Sequence, residues 1–192
     1  MKLDHIAFRV RDRKSAAKFL EVNLFYRTQQ EFPIDFGDGL FAECISMAPT
    51  RIPNPEIFLS DGTPDSIVGE WVEDRVQMGA RIDVQVAGGI HHIAFSVHSV
   101  EATMKEWQER GIKFSSATPI YCPEDKLIQV FTQPIESLGG MVIELIERGE
   151  FGFCKSSVKA LMQSSVPENQ TWVPGGAEWL EPKPFEEKGE LT

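Results

Sequence analysis

A chain of 192 residues with 42% hydrophobic and 25% charged content has apolar material for one substantial core or two small fused modules. Its formal net charge of -10 and pI near 4.9 argue against nucleic acid and anionic membrane as partners. No apolar run approaches the ~20 residues needed to span a bilayer, and the N-terminus has no signal-peptide core, so a cytoplasmic setting is expected.

The first predicted element is a strand over 3–10. Its alternation puts His5, Ala7 and Arg9 on one face and Ile6, Phe8 and Val10 on the other. Asp12 is placed to cap a helix running to about residue 22, with Ala16, Ala17, Phe19 and Leu20 turned inward. Strands are predicted at 27–34, 40–47 and 56–59. Gly37-Asp38-Gly39 separates the first two, and a proline-rich stretch at 50–55 separates the last two. A connecting helix is predicted over 66–79, where Val68, Val72 and Val76 recur on one side beside Trp71.

The order then repeats. A strand over 90–97 leads to Ser99 as N-cap and a helix over 100–110. Val100, Met104 and Trp107 have helical spacing there, and Gly111 stops the helix. Strands are predicted at 113–116, 127–132 and 141–147. A short helix over 156–164 precedes a tail from 167 rich in Pro, Gly and Glu. The tail reads as extended, although Trp172, Trp179 and Phe185 suit partial packing on the body or on a partner chain. The expected division is a first module at 1–62, a connecting helix and linker at 63–88, a second module at 89–150, and a C-terminal helix and tail at 151–192. Cys44, Cys122 and Cys154 are odd in number and widely spaced, as expected of reduced structural thiols.

The two leading strands say nearly the same thing. Residues 5–10 read His-Ile-Ala-Phe-Arg-Val and residues 92–97 read His-Ile-Ala-Phe-Ser-Val. The register continues from Asp12 to Ser99, from Ala16 to Thr103 and from Lys18 to Lys105. Two copies of one unit related by a pseudo-twofold can aim His5 and His92 at one point. Glu144 stands alone in the apolar run Val142-Ile143-Glu144-Leu145-Ile146, where a buried unpaired carboxylate is costly and a cation would make it reasonable. His5, His92 and Glu144 are therefore the candidate ligands. Two imidazoles and one carboxylate form a facial triad with open positions, a donor set that suits Fe(II). Strand parity puts His91 on the face opposite His92, as a non-ligand. His98 falls beyond the strand.

The paired strand–helix–three-strand units with His5, His92 and Glu144 resemble the vicinal oxygen chelate superfamily, which includes glyoxalase I, methylmalonyl-CoA epimerase, extradiol dioxygenases and 4-hydroxyphenylpyruvate dioxygenase. The resemblance covers about residues 1–150. It implies an α+β fold in which two βαβββ modules form a glyoxalase-like curved sheet around a metal site. In glyoxalase and epimerase relatives the last strand of the first unit supplies a fourth ligand. Here Glu56-Ile57-Phe58-Leu59 puts Phe58 at that position, and Glu56 could reach it only by a shifted register. The run 127–134 with Gln129 and Phe131, followed by Arg148 and Phe151-Gly152-Phe153, is similar to the C-terminal half of 4-hydroxyphenylpyruvate dioxygenase. That likeness implies pocket roles for Gln129, Phe131 and Phe151, alongside Phe58. The chain departs from that enzyme in having two units where it has four, and in Lys155 and Ser156 where Asn-Phe is usual.

The leading expectation is an Fe(II)-dependent dioxygenase acting on a small chelating substrate such as a 2-oxo acid. The alternative is a glyoxalase- or epimerase-like lyase or isomerase using Zn, Co, Ni or Mn, with Glu43, Glu56 or Glu144 as base. A third is a non-catalytic binding protein of the same fold. The expected partner is a small molecule, and a homodimer remains compatible with the sequence.

Overall fold

The computed structural model describes residues 1–51, 53–78, 88–123, 126–149, 153 and 155–164, with backbone alone at 75–78. The first half runs β1 (Lys2–Val10), α1 (Arg13–Leu24), β2 (Tyr26–Gly37), β3 (Leu40–Pro49) and β4 (Glu56–Gly62). Helix α2 (Ile67–Met78) follows. The second half runs β5 (Gly88–Ser96), α3 (Val100–Glu109), β6 (Ile120–Cys122), β7 (Leu127–Phe131) and β8 (Val142–Glu147), and α4 (Lys155–Ser164) comes last.

The eight strands form one curled sheet in the order β2-β3-β4-β1-β5-β8-β7-β6. Strand β1 pairs parallel with β4, and β5 pairs parallel with β8, while β1 and β5 run antiparallel along the seam between the halves. The repeat survives as register: Ala7 lies opposite Phe58, and its counterpart Ala94 lies opposite Glu144.

Both helix starts form as the residue chemistry dictates. The Asp12 carboxylate accepts from the Ser15 amide at 2.9 Å, and the Ser99 hydroxyl accepts from the Ala102 amide at 3.1 Å. Helix α1 covers one half of the sheet through Ala17, Ile45, Met47, Ile57 and Leu59. Helix α3 covers the other through Val100, Met104, Val130 and Leu145. On the opposite face, Ala7, Phe32, Phe58 and Val68 gather with Phe153, Val158 and Met162, so α4 closes the concave side.

Three expectations need correction. Phe19 is 60% exposed, because it lies about 200° around α1 from the buried Ala17. No strand forms at 113–116, where Phe114 makes a single bridge to Thr132. The Ser116 hydroxyl instead bonds the Thr118 carbonyl at 2.8 Å, a local bond that competes with a ladder, and the short strand β6 comes later. Of the cysteines, Cys44 is free and buried, but Cys122 is disulfide-bonded, so the expectation of reduced thiols fails for it. Cys154 and the tail aromatics lie outside the described residues. Among the described residues no helix is long and apolar enough to cross a membrane.

Candidate metal centre

Strand alternation on β1 turns His5, Ala7 and Arg9 toward the concave face, all three buried. His92 arrives from β5 and Glu144 from β8, and both are buried as well. The three side chains converge. His5 Nε2 lies 3.2 Å from His92 Nε2 and 3.2 Å from Glu144 Oε2, and His92 Nε2 lies 3.0 Å from the same oxygen. Three cis ligands at about 2.1 Å from an octahedral ion are about 3.0 Å apart, so this triangle has the edges of a facial site. The other carboxylate oxygen, Glu144 Oε1, is buried without a hydrogen bond. Two imidazoles, a carboxylate and an unsatisfied buried oxygen fit a divalent cation.

A supporting layer orients these donors. His5 Nδ1 donates to Asp4 Oδ1 at 2.8 Å, which leaves Nε2 for the centre. Arg148 clamps Asp4 through Nε at 3.0 Å and Nη2 at 2.6 Å, and Nη2 also reaches Glu56 Oε2 at 2.7 Å. Burial opposes ionisation of Asp4, but the hydrogen bonds from His5 and Arg148 prevail and hold its carboxyl at about 2. Burial likewise opposes the charge on Glu144, and the His5 charge with both imidazole hydrogen bonds brings it to about 2. The two histidines part company. Burial disfavours the cation on each, but Glu144 and Asp4 together raise His5 above its ordinary value, whereas His92 falls below it. The metal-free centre thus holds its proton on the His5 side.

His91 was expected on the opposite face, and this is a correction. Between β1 and β5 the register slips: Ala7 faces His92, but Phe8 faces Ile90. His91 is the extra residue of a bulge, which breaks strand parity there. It is buried, lines the same cavity, and places its Nδ1 2.8 Å from His92 Nδ1. It is not a member of the convergent triad.

A cavity opens around the centre. Phe58, Phe131 and Gln129 line it, and Phe153 with Val158, Leu161 and Met162 of α4 forms the cover. The Phe153 ring meets His5 at 5.0 Å and Phe58 at 4.8 Å between centroids, with the Arg148 guanidinium 4.5 Å above it. Phe151 lies outside the described residues. Of the three candidate bases, Glu43 and Glu56 do not line the cavity. Glu56 is bound by Arg148, and Glu43 joins Arg13, Glu31 and Asp61 in an ion cluster. Sequence reading missed Asp4 and the inward turn of His91, and it named Phe153 only within the Phe151-Gly152-Phe153 segment. An Asp-His pair opening the strand was the available signal for Asp4, and the bulge had none.

No protein-family model and no curated protein sequence matches this chain. Solved structures do match in fold. Methylmalonyl-CoA epimerase from Mycobacterium tuberculosis superposes with a TM-score of 0.59 at 20% identity, covering 77% of this chain and 88% of that one. A hypothetical protein from Bacillus halodurans gives 0.58 at 23% identity, over 80% and 98%. A variant of 4-hydroxymandelate synthase from Streptomyces coelicolor gives 0.68 at 18% identity, covering 85% of this chain and 52% of that one. The chain therefore shares the fold of these structures, a curled mixed sheet of the glyoxalase-like kind.

Proposed function

We propose that this protein is a metal-dependent dioxygenase of the vicinal oxygen chelate type, acting on a small 2-oxo acid. The observation that carries the reading is Phe58. It stands opposite Ala7, where the second half has Glu144 opposite Ala94. A phenyl ring cannot ligate, so the protein offers three donors and leaves one side of the ion open for substrate and oxygen. Divalent iron in this site would supply Lewis acidity toward a chelating oxygen pair and the electrons for oxygen chemistry.

The chain's own groups do the rest. Asp4 keeps the His5 Nδ1 proton in place, so Nε2 stays directed at the centre. Gln129 Nε2 is buried and makes no hydrogen bond, which suits a donor to a substrate oxygen. Phe58, Phe131 and Phe153 exclude water from the reacting face. The fold neighbours include an epimerase, and the fold alone supports that reading equally. Proton transfer beside a carbonyl needs a base, however, and the one carboxylate among the described lining residues is Glu144, already a ligand candidate.

Oxygen uptake by iron-loaded protein tests the reading, using a panel of 2-oxo acids and catechols. Uptake with a 2-oxo acid is expected in wild type and is expected to be lost in Phe58→Glu, whose new carboxylate would occupy an open position. No uptake with any compound, together with epimerisation or aldehyde–thiol isomerisation under cobalt or zinc, would overturn it.

A further inference from the structure

Arg9 is not used by this chemistry, yet it lines the same cavity. It follows His5 by four residues on the same face of β1 and is 4% exposed. The other arginines with ion pairs show what it lacks. Arg13 meets Asp61, Glu43 and Glu31, Arg148 meets Asp4 and Glu56, and Arg11 meets Glu73. Among the described residues Arg9 has no carboxylate partner. Its contacts are a long bond from Nη1 to the Ile67 carbonyl at 3.4 Å and the Trp71 ring, 5.7 Å from the guanidinium carbon. Burial pulls its pKa down to about 9, and the opposing Cys44 thiol is itself pushed up to about 12 by burial, hence uncharged. An unpaired buried cation is costly and is retained where a ligand supplies the anion.

The surroundings add a second donor. Ser60 lies directly across from Arg9 in the β1–β4 register, is 2% exposed, and lines the cavity. Its hydroxyl has only a 3.5 Å contact to the Phe8 carbonyl. A planar guanidinium and a hydroxyl lining one cavity can together serve the two oxygens of a carboxylate.

We propose that Arg9 and Ser60 form an anion subsite for a second carboxylate, so that the ligand is a short 2-oxo diacid with its 2-oxo end at the triad. The 2-oxo part rests on the dioxygenase reading, whereas the carboxylate subsite does not. A diacid is held at both ends, which explains why the cavity contains both a cation-binding triad and a buried cation of its own.

Wild type, Arg9→Met and Arg9→Lys test this. Metal-free protein is titrated calorimetrically with succinate, glutarate and adipate, with butyrate as the monoacid control. At least one dicarboxylate is expected to bind wild type, to weaken about 10- to 100-fold in Arg9→Met, and to recover in part in Arg9→Lys. Butyrate, whose single carboxylate can enter the same subsite, is expected to weaken in Arg9→Met as well. The ligand-free Tm of Arg9→Met is expected to hold, since an apolar chain of similar length replaces an unpaired charge. Dicarboxylates that do not bind wild type, or that bind wild type and Arg9→Met equally, overturn the subsite. A lower Tm or failed folding in Arg9→Met also overturns it, by making the arginine structural. Dicarboxylate binding that depends on Arg9, without oxygen uptake by the iron-loaded protein, removes the dioxygenase reading and leaves the subsite. Uptake with a 2-oxo diacid that is indifferent to Arg9→Met does the reverse.

Discussion

His91 and His92 are neighbours in sequence, both buried, and different in task. His92 presents Nε2 to His5 and Glu144, while its Nδ1 faces His91 Nδ1. His92→Ala is expected to abolish divalent-metal binding. His91→Ala is expected to weaken it about 10- to 100-fold, the usual cost of losing a partner that orients a ligand. Equilibrium dialysis with cobalt or iron separates the two, and an unchanged affinity in His91→Ala would remove the orienting role. Titration behaviour gives a second expectation. His5 is raised above 6.5 in the metal-free protein and His92 is lowered below it. At pH 6.5 His5 is thus more than half protonated, and a cation must expel that proton. Calorimetry in two buffers of different ionisation enthalpy is expected to find net proton release on metal binding near pH 6.5, with affinity falling as pH falls. The triad itself was legible in the sequence, because one motif occurs twice and a lone glutamate interrupts an apolar run. His91 was misread because parity holds only along an unbroken strand.

At the level of elements, the seam between β1 and β5 decides whether the two histidines meet. Gly88 opens β5 with φ +87°, and a Cβ there would lie 2.0 Å from the Arg9 carbonyl. Backbone cannot yield as a side-chain tip does, so the substitution must shift the strand as well as strain the dihedral. Gly88→Ala is expected to destabilise the protein by at least about 2 kcal/mol, read as a lower urea midpoint, and to weaken metal binding with it. Stability lost without loss of metal affinity would show that the seam does not set the site. Helix starts at Asp12 and Ser99 were readable because an N-cap is local chemistry. The strand expected at 113–116 was not, because its hydrogen bonds depend on a neighbour far along the chain and Ser116 satisfies a carbonyl locally instead.

For the whole molecule, the centre joins the halves: His5 belongs to the first, and His92 and Glu144 to the second. A cation held across that seam binds the folded chain and has no assembled site in the unfolded one. Saturating cobalt or iron is therefore expected to raise Tm by about 10 °C, with reversal by chelator and no rise in Glu144→Ala, as scanning calorimetry would show. A rise that persists in Glu144→Ala would place the ion elsewhere. What the sequence determined by itself was the duplicated unit, the α+β class, the face shared by His5, Ala7 and Arg9, and the donor set, because these follow from periodicity and side-chain chemistry within single strands. Only the tertiary structure decided that Glu43 and Glu56 are tied up by arginines outside the cavity, that His91 turns inward, and that Arg9 has no acid partner among the described residues. Each depends on register between strands or on which side chains meet across the curled sheet. Those distances are set by pairing between residues far apart in sequence, about which local pattern carries no information.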